Sequence, residues 1–329
     1  MSNVHSDPVM MAVAILNHND GGPFVKEGIK RGLRGGLISP AKGLIGSALL
    51  NLLSIRHDRR DLVILFERHS ILKPVLEDLV KRFRLDLPNH GILFVMPTRY
   101  GLRSDFGLGD NAWDQDQTPH QLLLMTFKHG RVKEVLDRLH RISKAGATIF
   151  TGKGEHQVEK QQVMGLSFSP QKDVILSVVP SDDVEEIFSS MEESFYCSQT
   201  KGMYIYSLDV HDFSQADQLN PMPVTTDQML LMSIISEDLE EAYIEKLKQL
   251  KVHGGTSLKA YGSVSPEMME RVFNITVNPQ KKIMMTVDST EKILQAYQTL
   301  MDSNTMQAQH QGVYLTIPLT YTYGLYRPE

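Results

Sequence analysis

Apolar residues in this chain fall into two rhythms that alternate from end to end. Short runs rich in Val, Ile, Leu and Met read as strands, and each opens a comparable stretch: MAVAILNHN from Met11, QLLLMTFKHG from Gln121 and QMLLMSIIS from Gln228. Each leads into a segment whose apolar positions recur three and four apart, the spacing of a helix with one buried face. These segments are VKEGIKRGLR, RVKEVLDRLHRISK and EAYIEKLKQLK. Glycine-bearing turns follow them at Gly35-Gly36, Ala145-Gly146 and Gly254-Gly255. Glycine suits the end of a helix because it accepts a left-handed backbone without a steric cost.

A second strand comes after each turn, then a variable loop, then a third strand: DLVILFE from Asp61, DVILSVVP from Asp173 and KIMMTVD from Lys282. Another helical pattern follows, and a fourth strand begins at a glycine (Gly91, Gly202, Gly312). The distances from the glycine after the first helix to the glycine of the last strand are 55, 56 and 57 residues. That regularity marks an internal repeat. The order strand, helix, strand, strand, helix, strand is the ferredoxin-like arrangement. The fold class expected is therefore α+β, with three tandem ferredoxin-like (βαββαβ) domains at residues 1–106, 120–213 and 227–329. Linkers at 107–119 and 214–226, rich in Asp, Gln, Asn and Pro, separate them. Several strands are apolar at both parities, as strands buried on both faces are.

Composition changes this picture little. With 329 residues, 41% hydrophobic and 22% charged, the chain is long enough for more than one core. The net charge of −5 conceals a basic first third: residues 1–103 carry +6 and the remainder −11. Such asymmetry predicts either attraction between copies or an anionic partner. A single cysteine, Cys197, excludes an intrachain disulfide and any multi-cysteine zinc site. No run approaches the ~20 apolar residues of a membrane span, and no basic region precedes the first apolar run. The expectation is a cytoplasmic protein with no membrane span and no nucleic-acid partner.

The middle stretch carries the most specific motifs: AGATIFTGKGEHQ from Ala145, SPQKDVILSVVPSDDVEEIFSSM from Ser169 and TKGMYIYSLDV from Thr200. Together they resemble the P-II nitrogen-regulator family, and the outer stretches match more weakly. The resemblance implies a single-chain pseudo-trimer, monomeric in solution, that binds adenine nucleotides in clefts between copies and signals to a protein partner. The tyrosine segment that is nucleotidylated in many members is absent from all three copies.

Two glycines flanking a cation suit a backbone that approaches phosphate closely, so Gly152, Lys153 and Gly154 are the first candidates. A strand-ending turn is the competing reading. Lys42 and Gly43 are their counterparts in copy one, whereas copy three has Tyr261 in place of the cation. The resemblance adds Lys201, Gly202 and Gly91 from the last-strand loops as phosphate contacts. It adds Gly36, Gly146 and Thr148 as contacts to the nucleotide base. ATP, ADP and AMP are the candidate ligands. The apolar loop of copy one, LIGSALLNLLSIRHDRRD from Leu44, reads either as a docking surface or as a segment buried against a neighbour. No metal-ligand spacing, Walker loop or nucleophile elbow is present. The reading is a non-enzymatic sensor. A ligand-free scaffold and an enzyme using the clefts are the alternatives.

Overall fold

The computed structural model describes residues 7–43, 58–87, 90–103, 107–110, 118–156, 161–163, 166–168, 171–198, 203–216, 224–252, 254–262, 280–303 and 312–325. The first stretch contains β1 (Val9–Asn17), α1 (Gly21–Lys30), β2 (Gly35–Gly43), β3 (Asp58–Arg68), α2 (His69–Phe83) and β4 (Gly91–Pro97), then two short strands, β5 (Tyr100–Arg103) and β6 (Gly107–Asp110). The second contains β7 (His120–Lys128), α3 (Val132–Ile142), β8 (Ala147–His156), a small hairpin of β9 (Gln161–Val163) and β10 (Leu166–Phe168), then β11 (Gln171–Pro180), α4 (Val184–Ser198), β12 (Tyr204–Val210) and β13 (Asp212–Phe213). The third contains β14 (Gln228–Ser236), α5 (Glu240–Gln249), β15 (Thr256–Gly262), β16 (Gln280–Ser289), α6 (Thr290–Met301), β17 (Gly312–Pro318) and β18 (Tyr321–Tyr323).

Helical periodicity sets which faces are buried. On α6, Ile293, Ala296, Tyr297 and Leu300 are buried, and on α3, Val135 and Leu139; these spacings put each set on one side of its helix. Arg84 ends α2 in the left-handed conformation at φ 55°. Along β1 the side chains divide by parity. Met10, Ala12, Ala14 and Leu16 face the helices of their own stretch, while Met11, Val13 and Ile15 face a second interior.

That second interior corrects the expectation of three tandem ferredoxin-like domains assembled as a pseudo-trimer. Among the described residues sixteen strands are joined in one continuous antiparallel sheet, eleven of them curled as a half-barrel. Its inner face is a single apolar cluster drawn from all three stretches, including Phe66, Phe94, Leu124, Leu176, Leu230 and Met285. Each stretch closes a smaller core under its own helices, but independent domains would not share this inner one. Here the strands that could have been sheet edges are hydrogen-bonded to one another instead, as unpaired edges tend to be.

Two rings of strand pairing make the sheet continuous. In the first, the start of β2 pairs with the end of β8 (Ile38 opposite Lys153), the start of β8 with the end of β15 (Ile149 opposite Tyr261), and the start of β15 with the end of β2 (Ser257 opposite Lys42). In the second, each stretch sends its tail to the next: β5 onto β12, β13 onto β17, and β18 back onto β4. The first segment expected to be a solvated linker thus contributes a strand at Gly107–Asp110, and a further strand, Asp212–Phe213, stands immediately before the second. Trp113 and the apolar loop of residues 44–57 lie outside the described residues.

Candidate functional site

Three junctions arise where β2, β8 and β15 meet, and each is built from two stretches of chain. The pairing registers place Asp61, Asp173 and Lys282 at one equivalent position, opposite Leu16, Phe127 and Ile235. By the same registers Lys153, Tyr261 and Lys42 are equivalent on the neighbouring stretch. The first junction therefore joins Lys153 to the Asp61 side, the second joins Tyr261 to the Asp173 side, and the third joins Lys42 to the Lys282 side.

In the first two junctions a buried carboxylate accepts a glycine N–H, at the first residue of a helix for Asp61 and two residues before one for Asp173. Asp61 Oδ2 accepts the Gly21 N–H at 3.0 Å, and His18 Nδ1 lies 3.2 Å from Asp61 Oδ1. Asp173 repeats the arrangement, with the Gly130 N–H at 2.8 Å and His129 Nδ1 at 2.7 Å. A carboxylate at a helix start satisfies an orphan donor and complements the helix dipole. Tyr261 is the one large hydrophobic exposed among the described residues; its hydroxyl is pushed up in pKa by partial burial and by the charge of Asp173.

The third junction has the opposite polarity. Lys282 stands where the others have aspartate, and its ammonium lies 3.0 Å from Glu237 Oε1 and 3.3 Å from Glu240 Oε2. Glu240, the first residue of α5, also receives the Ser257 hydroxyl at 3.1 Å and sits 3.7 Å from Lys42 of the first stretch. Lys281 donates to Ser236 Oγ at 3.0 Å. Burial draws the Lys282 ammonium down, but its hydrogen bonds to Glu237 and Glu240 outweigh that and hold it above its ordinary pKa. The hydrogen bond from Lys282 keeps the Glu237 carboxyl below the ordinary 4.5, with the charges of Lys259 and Lys42 adding to it. Three lysines, Lys42, Lys259 and Lys282, thus act on the carboxylates of this junction.

Most residues expected to form the site lie along these strands, and their surroundings revise several roles. Gly36, Leu37 and Ile38 pair with Glu155, Gly154 and Lys153, bringing Gly36, Gly152, Lys153 and Gly154 to one seam. Lys153 is exposed there. A Cβ on Gly152 would stand 2.8 Å from Leu37 Cδ1 and 2.9 Å from the Ile38 carbonyl oxygen. Its lack of a side chain therefore serves the approach of β2. Gly43 pairs with Thr256, and Thr148, which is buried, pairs with Gly262. Gly146 sits in an open turn whose carbonyl accepts the Ser177 hydroxyl at 3.0 Å. Gly91 does not join this group. It opens β4 opposite Leu16, at φ 135°, with Ile15 O where its Cβ would be. Lys201 and Gly202 lie outside the described residues.

Sequence reasoning missed Glu240, Lys282 and Ser257. A signal existed: the third strands begin Asp61, Asp173 and Lys282, a reversal of charge at one repeat position. Among the described residues no group of three or more His, Cys, Asp or Glu could hold a metal ion, and no helix is long and apolar enough to cross a membrane.

No family model and no curated protein matches the chain. Among solved structures, aspartate kinase from Synechocystis aligns at 9% identity over 94% of this chain, with a TM-score of 0.27. The chain spans 44% of that kinase. An anthrone oxidase-like protein aligns at 11% identity over 64% of this chain and 95% of its own, with a TM-score of 0.19. Neither likeness bears on function at such scores.

Proposed function

We propose that the chain is a non-enzymatic, cytoplasmic sensor of the P-II-like kind. It takes an adenine nucleotide or a related small anion at a junction between stretches and relays that state to a protein partner. The observation that carries this reading is the third junction, where Lys42 and Lys282 from different stretches converge with the Ser257 hydroxyl on a single carboxylate. Two ammonium groups and a hydroxyl are the donors that a phosphate oxygen asks for. The exposed Lys153 gives the first junction one ammonium group, and Tyr261 gives the second a hydroxyl without a positive charge.

Calorimetric titration of the whole chain with ATP, ADP and AMP tests the proposal. Binding of at least one is expected. Lys42→Ala should weaken it by about 1–3 kcal/mol, the range for a hydrogen bond to a charged group, and Lys153→Ala should weaken it less. No heat and no thermal shift with any nucleotide would sink the sensor reading. It would favour a ligand-free scaffold, which the packing role of Gly152 already supports. Turnover of the nucleotide would replace the sensor with an enzyme.

A further inference from the structure

We infer that Glu240 is a built-in competitor for the anion site of the third junction, a carboxylate of the chain itself held where a soluble anion would be bound. This rests on the proposal that the junction takes a small anion, and it adds how that site is regulated. The carboxylate of Glu240 is held from three sides by groups of two different stretches: Lys42 at 3.7 Å, Lys282 at 3.3 Å and the Ser257 hydroxyl at 3.1 Å. Glu237 holds Lys282 independently at 3.0 Å, so withdrawing Glu240 leaves that lysine oriented. Among the described residues Lys42 has one ion pair, the longer contact to Glu240, and it is about one-third exposed, so a soluble anion can reach it.

The equivalent positions explain why the device belongs to this junction alone. Asp61 and Asp173 are fixed by the backbone N–H groups of Gly21 and Gly130 and put negative charge at the base of the other two. An anion there meets repulsion before it meets Lys153 or Tyr261. In the third junction the base is Lys282, and the negative charge facing Lys42 sits on the longer side chain of a glutamate, the first residue of α5. A side chain of that kind can swing aside. Anion binding then exchanges one carboxylate for another negative group and frees Glu240, so that the ligand loosens the tie between the first and third stretches.

Inorganic pyrophosphate is the probe, titrated calorimetrically into the full-length protein and into Glu240→Gln, Glu240→Asp and the double variant Glu240→Gln/Lys42→Ala. Removing the competing charge should tighten binding by about tenfold, the scale of one unit charge at a partly exposed contact. Glu240→Asp, which keeps the charge but shortens its reach, should fall between Glu240→Gln and the natural protein. Loss of Lys42 should abolish the gain. Thermal melting of each variant establishes that it is folded, and Glu240→Asp alone decides the matter if Glu240→Gln does not fold. Equal or weaker binding by the folded variants overturns the inference, as does no binding by any of them. The sensor reading stands or falls separately, on the nucleotide titration of the natural protein. Pyrophosphate binding by Glu240→Gln with none by the natural protein upholds the competitor, whatever the nucleotide titration returns.

Discussion

Gly152 and Lys153 are neighbours in one motif, and the structure gives them different work. The glycine lets β2 come close: Leu37 and the Ile38 carbonyl occupy the space a methyl group would need. Gly152→Ala should therefore destabilise the chain by about 1–3 kcal/mol, the usual result of overpacking, as read from urea unfolding. A phosphate-cradling glycine would show the reverse, with stability kept and ligand affinity lost. Lys153, exposed on the same strand, has no comparable packing role. Arg99 is a second residue whose environment sets its worth. It is nearly buried, and its guanidinium meets the Asp209 carboxylate at 2.8, 2.8 and 2.7 Å, tying the tail of the first stretch to the last strand of the second. Arg99→Ala should cost ~1.5–3 kcal/mol, in the range for hydrogen bonds to charged groups. Hydrogen exchange should rise first at β5 and the facing part of β12. Unchanged exchange there would show that the pair does not fasten the two strands.

At the scale of elements, much of the arrangement was legible in the chain. The strand and helix runs starting at Met11, Gln121 and Gln228 follow from hydrophobic period and glycine punctuation, which are local properties. How the elements join is not local. Strands apolar on both faces, such as β1, say that something covers the second face. They cannot distinguish a separate sheet packed against it from the same sheet curling round. The deciding contacts are the pairings of β2, β8 and β15, which involve only short stretches at strand ends. Residues at the tails, such as Tyr321–Tyr323, gave no sign of pairing with β4, more than two hundred residues earlier. The candidate site was hidden for the same reason. Lys42 was weighed as the property of the first copy, and the missing cation at Tyr261 as a defect of the third. Each residue in fact serves the junction with a different stretch. Charge reversal from Asp61 and Asp173 to Lys282 was visible, but only the shared register gave it meaning.

For the whole molecule, the shared inner cluster makes the three stretches depend on one another. Fully burying one Leu, Ile, Phe or Met side chain is worth about 1.5–3 kcal/mol, and pulling any stretch away would expose many such groups at once. Heat should therefore unfold the chain in one cooperative transition, with equal calorimetric and van't Hoff enthalpies. Residues 120–213 made alone should not stay monomeric and folded. Separate transitions, or a stable monomeric middle fragment, would show that the inner cluster does not couple the stretches. The charge asymmetry fits the same dependence, since the basic first stretch supplies Lys42 to Glu240 and Arg99 to Asp209, both acids lying in other stretches.

The return of β18 to β4 also imposes an order of manufacture. A ribosome releases the first stretch long before Tyr321 exists, so the edge of β4 that Tyr321–Tyr323 will cover stays bare throughout synthesis. Gly324, at φ 75°, packs so close to the carbonyls of Gly91 and Leu85 that no side chain fits between them. The turn that completes the circle is thus made more than two hundred residues after the strand it covers, and it leaves no room for a side chain. Domains made in series ordinarily fold one after another as they emerge. Here the first stretch must wait for the third, and its exposed strand edge is a liability that the cell has to guard until Tyr321–Tyr323 has been made.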